Sequence, residues 1–242
     1  MSYHWDWGVL LQHASKNQTY LDWMLSGFQV TLALGLSAWL IALAIGIVLG
    51  ILRTLPGRLW RGIGATYVEL FRNVPLLVQF FIWYFAVPEL APYGAQFKQL
   101  PPFVQQFIAA TVCLGMFTAA RVCEQVRSGL QALPRGQRGA SLALGMTLGQ
   151  TYRHVLLPVS LRIVLPPLTS EFLNIFKNSA IASTIGLMEL AAQGRQLVDY
   201  TAHSYESFTA VTLLYALISL AVMVIMWLVE RMCRIPSVSL RK

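Results

Sequence analysis

Seven polar side chains stand in or beside long apolar runs and are the residues best able to do chemistry: Glu69, Arg72, Arg121, Glu124, Glu171, Lys177 and Asn178. An ionisable group in a bilayer-length apolar run is costly, and by default marks function or a compensating partner. Arg121 breaks a run that is clean from Phe103 onward, and Glu124 follows one helical turn later on the same face. One reading of that spacing is an internal ion pair lining a bundle interface. The other is a cation held for an anionic ligand, because a guanidinium fork grips a carboxylate through two parallel hydrogen bonds. Glu69 and Arg72 repeat the spacing just before Pro75, and read first as a structural pair and second as part of a gate. Glu171, Lys177 and Asn178 follow Pro166 and Pro167 in a segment expected to be an interrupted helix, whose freed backbone groups can receive ligand charge. No G-x-x-x-x-G-K-[ST] loop, H-E-x-x-H motif or nucleophile–base constellation occurs. The chain is therefore expected to be no enzyme, to hydrolyse no ATP by itself and to bind no cofactor or metal directly.

The elements that must position these residues are membrane helices. Charged residues make up 12% of the chain and hydrophobic ones 56%, with a mean hydropathy of +0.59; soluble domains carry about 25% charged residues. The fold class expected is all-α and polytopic, with five spans of roughly 20 or more apolar residues. They are Gly27–Leu52, Tyr67–Val87, Phe103 to about Arg127, Ile163–Leu187 and Phe208–Val229. The net charge of +8 does not point to nucleic acid, since the basic residues flank the apolar runs instead of gathering on one polar face. Twelve Lys and Arg lie in one set of loops (Arg53, Arg58, Arg61, Arg127, Arg135, Arg138, Arg153, Arg162, Arg231, Arg234, Arg241 and Lys242). Three lie in the other set (Lys16, Lys98 and Arg195). The positive-inside rule then places the N-terminus outside and the C-terminus in the cytoplasm.

Cys113, Cys123 and Cys233 show no metal spacing and read as small buried hydrophobes. The opening MSYHWDWGVLLQH lacks the features of a removable signal, and Trp5 and Trp7 read as interfacial anchors. The aromatic run Phe80–Phe85 reads as packing surface ahead of a ligand cage.

One cytoplasmic stretch, Arg135–Pro158, is too polar to cross a bilayer and too apolar to stand free in water. Ala140 and Leu144 fall one turn apart on a first short helix; Gly145 suits a left-handed cap. Thr147 with Gln150 forms a capping-box pattern opening a second helix, expected over about 148–157 and stopped near Pro158. Leu148, Tyr152, Val155 and Leu156 make one apolar stripe on it. Helices this short are marginal in water, so something must cover the stripe: either the membrane surface or a cytoplasmic partner protein.

The stretch resembles the cytoplasmic loop of permease subunits of type I ABC importers. The residues that carry the likeness are Gly139-Ala140-Ser141, then Gly145, then Leu157-Pro158. The family pattern has glutamate where Gly139 stands, so any ion pair of that acid with the ATPase is absent here. VELFRNVPLLVQ, TAARVCEQVRSGLQALPRGQ, TSEFLNIFKNSAIASTIGL, DYTAHSYESF and LVER extend the resemblance to polar amino-acid uptake permeases, most of all those for glutamate and aspartate. The resemblance implies a transmembrane domain over about 25–235, a coupling loop over about 128–161, an outer-face segment over 1–24 and a cytoplasmic tail over 236–242. It assigns ATPase coupling to Gly139, Ala140, Ser141, Leu144, Gly145, Met146, Leu148, Tyr152, Leu157 and Pro158. Related permeases often carry a neutral residue where Arg121 stands and a carboxylate where Asn178 stands. Both departures suit a negative substrate; Lys177 is shared and discriminates poorly.

The partners implied are a dimeric ATP-binding subunit that uses ATP and Mg, a second permease chain (a sister or a copy), a periplasmic solute-binding protein, the amino-acid substrate and membrane lipid. Two rivals stand beside this reading: a secondary transporter or channel driven by an ion gradient, and a membrane scaffold without a pathway.

Overall fold

The computed structural model describes residues 3–233 other than Lys16, with the side chain of Arg135 also left aside. The expected tail at 236–242 and the charges of Lys16, Arg234, Arg241 and Lys242 lie outside the described residues. A short 3-10 turn (Trp7–Leu11) and a two-stranded hairpin, β1 (His13–Ser15) and β2 (Gln18–Thr19), lead into α1 (Tyr20–Leu52). Then come α2 (Arg58–Asn73) and α3 (Leu76–Phe81); a π turn (Ile82–Ala86) carries α3 into α4 (Val87–Leu90). The short α5 (Gly94–Lys98) precedes α6 (Pro102–Gln131) and α7 (Arg135–Ala143). Next α8 (Leu148–Thr151) passes through a π turn (Tyr152–Leu156) into α9 (Leu157–Ser179), closed by a 3-10 turn (Ala180–Ile185). Last are α10 (Leu190–Thr201) and α11 (Ser204–Met232).

Among the described residues, four helices are long and apolar enough to cross a bilayer: Tyr20–Leu52, Pro102–Gln131, Leu148–Ile185 and Ser204–Met232. A fifth span is made if Arg58–Asn73 and Leu76–Leu90, broken at Val74–Pro75, count as one. Five spans were expected, and the broken one is where Pro75 predicts it.

Two expected breaks are absent. The second short helix does not stop at Pro158 but runs on as α9, and Pro166 and Pro167 lie inside that helix without ending it. A proline ring strikes the carbonyl four residues back. For Pro158 that residue is His154, which lies in the wider π turn and leaves room for the ring. Around Pro166 and Pro167, the buried Val164, Leu165 and Leu168 hold the helix by packing. The stop comes instead at Gly186, whose φ of +90° only glycine adopts cheaply.

The contacts divide the chain into two compact units: 3–41, 74–116 and 174–220 form one, and 42–73, 117–173 and 221–233 the other. In the first, Tyr20, Met24, Leu190, Leu197 and Val211 make a buried cluster. Gly27 lets α1 approach α10 closely: a Cβ there would lie 2.7 Å from Gln193 Cγ and 3.0 Å from Leu190 Cα. Glu189 caps α10, accepting from the N–H groups of Ala191 (3.0 Å) and Ala192 (2.8 Å) and from the Tyr215 hydroxyl (2.8 Å). Burial pushes its carboxyl above the ordinary range. The N-terminal segment is tied down at Glu206, which is fully buried and accepts from the Tyr3 hydroxyl and from the Asp6 N–H at 2.8 Å. Trp5 stacks on Trp7 with centroids 5.6 Å apart, and both rings are exposed, as interfacial anchors must be. In the aromatic run, Phe80 is fully buried, while Phe81, Ile82 and Phe85 are exposed.

In the second unit, Ala42, Gly46 and Gly50 form a stripe of small residues on α1, and α6 packs into it. A Cβ at Gly46 would lie 2.6 Å from Val122 Cβ, and one at Gly50 2.7 Å from Val126 Cβ. Gly129 admits Val164 in the same way between α6 and α9. Cys113 and Cys123 are buried free thiols and Cys233 is half-buried.

Candidate functional site

α6 sets Phe117, Arg121, Glu124, Gln125 and Ser128 along one face, at the spacing that repeats every turn of a helix. Arg72, from the last turn of α2, and Glu171, from α9, complete the lining of a polar cavity of about 360 Å³. Four of the seven residues singled out from the sequence thus meet here. Phe117, Gln125 and Ser128 were not foreseen, although they fall four residues before and four and seven after Arg121.

The ion pairs differ from those the spacing predicts. Arg121 Nη1 lies 3.8 Å from Glu171 Oε2, and its guanidinium sits 5.1 Å above the Phe117 ring. Long helical side chains lean toward the N-terminus, which carries Arg121 back over Phe117 and away from Glu124. Glu124 is held by two other arginines: it pairs with Arg53 at the end of α1, and its Oε2 accepts from Arg127 Nε (3.1 Å) and Nη2 (2.7 Å). Arg127 Nη1 also donates to Gln131 Oε1 at 2.7 Å. Nor do Glu69 and Arg72 pair. The exposed Glu69 accepts instead from Asn73 Nδ2 at 2.8 Å, leaving Arg72 to the cavity.

Arg72 and Arg121 line the cavity with Glu124 and Glu171, and Arg53 and Arg127 pair with Glu124 from outside the lining. The site carries surplus positive charge next to an aromatic face. The Arg121 side chain is 41% exposed and that of Glu171 10%, so the arginine is the reachable member of its pair. Chemically, a guanidinium so placed can exchange the oxygens of Glu171 for those of a small carboxylate. Lys177 and Asn178 do not line this cavity; they belong to the first unit, Lys177 exposed and Asn178 half-buried.

The segment after α6 forms a second feature. α7 ends at Leu144, Gly145 takes a φ of +82°, and Thr147 and Gln150 cap each other's backbone N–H at 3.3 and 2.8 Å. Ser141 is buried, its hydroxyl donating to the Gln137 carbonyl at 2.8 Å. Part of the stripe expected to need a partner is covered from within the chain: Tyr152 and Leu156 are buried. The Tyr152 hydroxyl reaches Thr54, lying 3.0 Å from both its carbonyl and its Oγ1. The apolar surface left open lies at the end of α7, where Leu142 is 43% and Leu144 83% exposed beside exposed Gly139 and Ala140. Met146, Leu148 and Leu157 are half-buried and Pro158 is exposed.

A family model described as "Binding-protein-dependent transport system inner membrane component" matches residues 42–235. The chain belongs to this family. As one of these inner membrane components it is a type I ABC importer permease subunit, and its membrane helices, bent fifth span and interposed α7–α8 segment are that fold. It is 58% identical, over 98% of both chains, to the glutamate/aspartate import permease protein GltJ of Escherichia coli (strain K12). It is 30% identical to the glutamine transport system permease protein GlnP of the same strain, over 88% of this chain and 93% of that one. Among solved structures, one described as an amino acid ABC transporter with histidines aligns with a TM-score of 0.72 at 29% identity, covering 88% of this chain and 94% of its own. A second, an inward-facing MetNI methionine ABC transporter, shares the fold with a TM-score of 0.65 at 21% identity, over 89% of this chain and 96% of its own.

Proposed function

We propose that this permease carries acidic amino acids, glutamate and aspartate, and that Arg121 and Arg72 form the cationic part of the path. The observation that carries this reading is the cavity lined by Arg72 and Arg121, in which Glu124 is already paired with Arg53 and Arg127 from outside the lining and Arg121 is the accessible partner of a nearly buried Glu171. The 58% identity to a glutamate/aspartate import permease supports the same substrates. A dicarboxylate entering here displaces Glu171 from Arg121, and the freed guanidinium grips it through two hydrogen bonds. Lys177 and Asn178 line a further stretch of the path, and Glu69 closes its mouth.

The working unit is two permease chains with two ATP-binding subunits, which use ATP and Mg; this chain supplies no nucleotide site. A solute-binding protein delivers substrate on the outer face, where the N-terminus lies. The transmembrane domain extends over about 25–235, and the coupling loop, about 128–161, faces the cytoplasm. There Leu142, Leu144, Gly139 and Ala140 form the contact with the ATPase, and α7–α8 move as one lever because Tyr152 is bonded back to the end of α1. ATP-driven closure of the ATPase pair then switches the helices between inward- and outward-open states.

The test is reconstitution into proteoliposomes. The complete complex with binding protein and internal ATP takes up labelled glutamate and aspartate, and the chain alone does not. Uptake by the chain alone under an ion gradient would overturn the proposal, as would a complex that moves glutamine and leaves glutamate behind.

A further inference from the structure

A larger hollow lies apart from the substrate cavity. Its volume is about 820 Å³, and Arg53, Arg61, Arg138, Thr54, Gln131 and Tyr152 supply its polar wall. No carboxylate is among its described lining residues. Arg53 is already engaged by Glu124, so the charges directed at an occupant are those of Arg61 and Arg138. The hollow is bounded by the loop where α1 has just ended and by the last turn of α6. Helix ends of spanning length fall at the boundary between hydrocarbon and water. Next to it, the first turns of α2 expose Leu59 (69%), Trp60 (45%) and Ile63 (47%), interleaved with Arg58 and Arg61. An exposed tryptophan and two aliphatic side chains beside arginines form the pattern of a helix lying in a lipid interface.

We propose that this hollow binds the phosphate head group of an anionic phospholipid, with Arg61 and Arg138 on the phosphate and the acyl chains running over Leu59, Trp60 and Ile63. Cation-lined pockets at the ends of membrane helices select anionic head groups by charge, and the apolar flank distinguishes a lipid from free phosphate. Because Arg61 follows the loop after α1 while Arg138 sits on α7, a bound head group ties the coupling segment to that loop. It thus does by charge what the Tyr152–Thr54 bond does by hydrogen bonding.

The complete complex is purified from membranes, and the phosphatidylglycerol retained per complex is measured for the wild type, Arg61→Gln, Arg138→Gln and the double variant. Each arginine contributes about fivefold in retention, and the pair about 25-fold. Arg58→Gln, on the neighbouring helix surface and outside the lining, serves as the control and changes little. A second arm isolates the emission of Trp60 as the difference between the wild type and Trp60→Phe. In phosphatidylcholine vesicles containing a fixed fraction of brominated phosphatidylglycerol, the emission lost on Trp60→Phe is quenched more strongly than with brominated phosphatidylcholine, and inorganic phosphate at millimolar level does not relieve it. Equal lipid retention by wild type and double variant would overturn the proposal, and so would quenching that ignores the lipid's charge. Relief by inorganic phosphate would assign the site to a free anion instead.

Discussion

Replacing Arg121 with alanine tests the substrate site most directly. The side chain offers a substrate carboxylate a charge-assisted, two-pronged contact, and hydrogen bonds to charged groups contribute about 1.5–3 kcal/mol each. With 41% of the side chain exposed, water screens it, and the lower end of that range applies: about 1.5 kcal/mol, or roughly tenfold in affinity. Binding is measured with labelled glutamate on the purified permease–ATPase complex without the solute-binding protein, whose own affinity would mask the effect. Arg121→Ala weakens binding about tenfold, and Arg121→Lys, which keeps the charge but loses the fork, falls between it and the wild type. Glu171→Gln removes the competing carboxylate 3.8 Å away and tightens binding. Opposite shifts from two members of one ion pair cannot come from general misfolding. Unchanged glutamate affinity in a folded Arg121→Ala complex, or a loss on Glu171→Gln equal to that on Arg121→Ala, would refute the assignment.

Three further outcomes follow from the packing. A Cβ at Gly145 meets nothing within 4 Å, so Gly145→Ala costs only its left-handed backbone, about 1 kcal/mol; thermal midpoints shift slightly, while substrate-stimulated ATP turnover falls. Leu144→Asp, at a position 83% exposed, leaves membrane insertion intact and sharply reduces co-purification of the ATP-binding subunit. Burial raises the Glu189 carboxyl above its ordinary 4.5, so its contribution to stability is full below that pH and is lost as pH rises through the raised value. Glu189→Gln removes the titration, and the difference in thermal midpoint between variant and wild type should therefore grow in the variant's favour from pH 4 to pH 7 in detergent.

Much of this was legible in the sequence because apolar run length, proline placement and capping chemistry are local. Gly145, the Thr147–Gln150 box and the break at Pro75 fall where single-residue physics puts them. What the sequence could not convey was which partner wins when several compete. Spacing offered Arg121 the nearby Glu124, yet that acid is held by Arg53 from α1 and by Arg127. The choice depends on the Gly46–Gly50 stripe, which brings α1 against α6 and delivers Arg53 to Glu124. Once Glu124 is neutralised there, Arg121 is left facing Glu171 across a cavity with surplus positive charge. The charge selectivity proposed for the path thus depends on helix packing as much as on Arg121 itself. Gly46→Val puts methyl groups into the space occupied by Val122 and drives α1 off α6. Glu124, which already lines the cavity, then keeps only Arg127, and the site loses the positive charge of Arg53. Acidic-substrate binding should fall in that variant although every residue lining the cavity is unchanged, and Val122→Ala should not recover it, because the alanine Cβ and the Ala119 carbonyl still stand 2.6 and 2.8 Å from the new Cβ. A folded Gly46→Val complex that binds acidic substrate as tightly as the wild type would break the link between the stripe and the charge of the site.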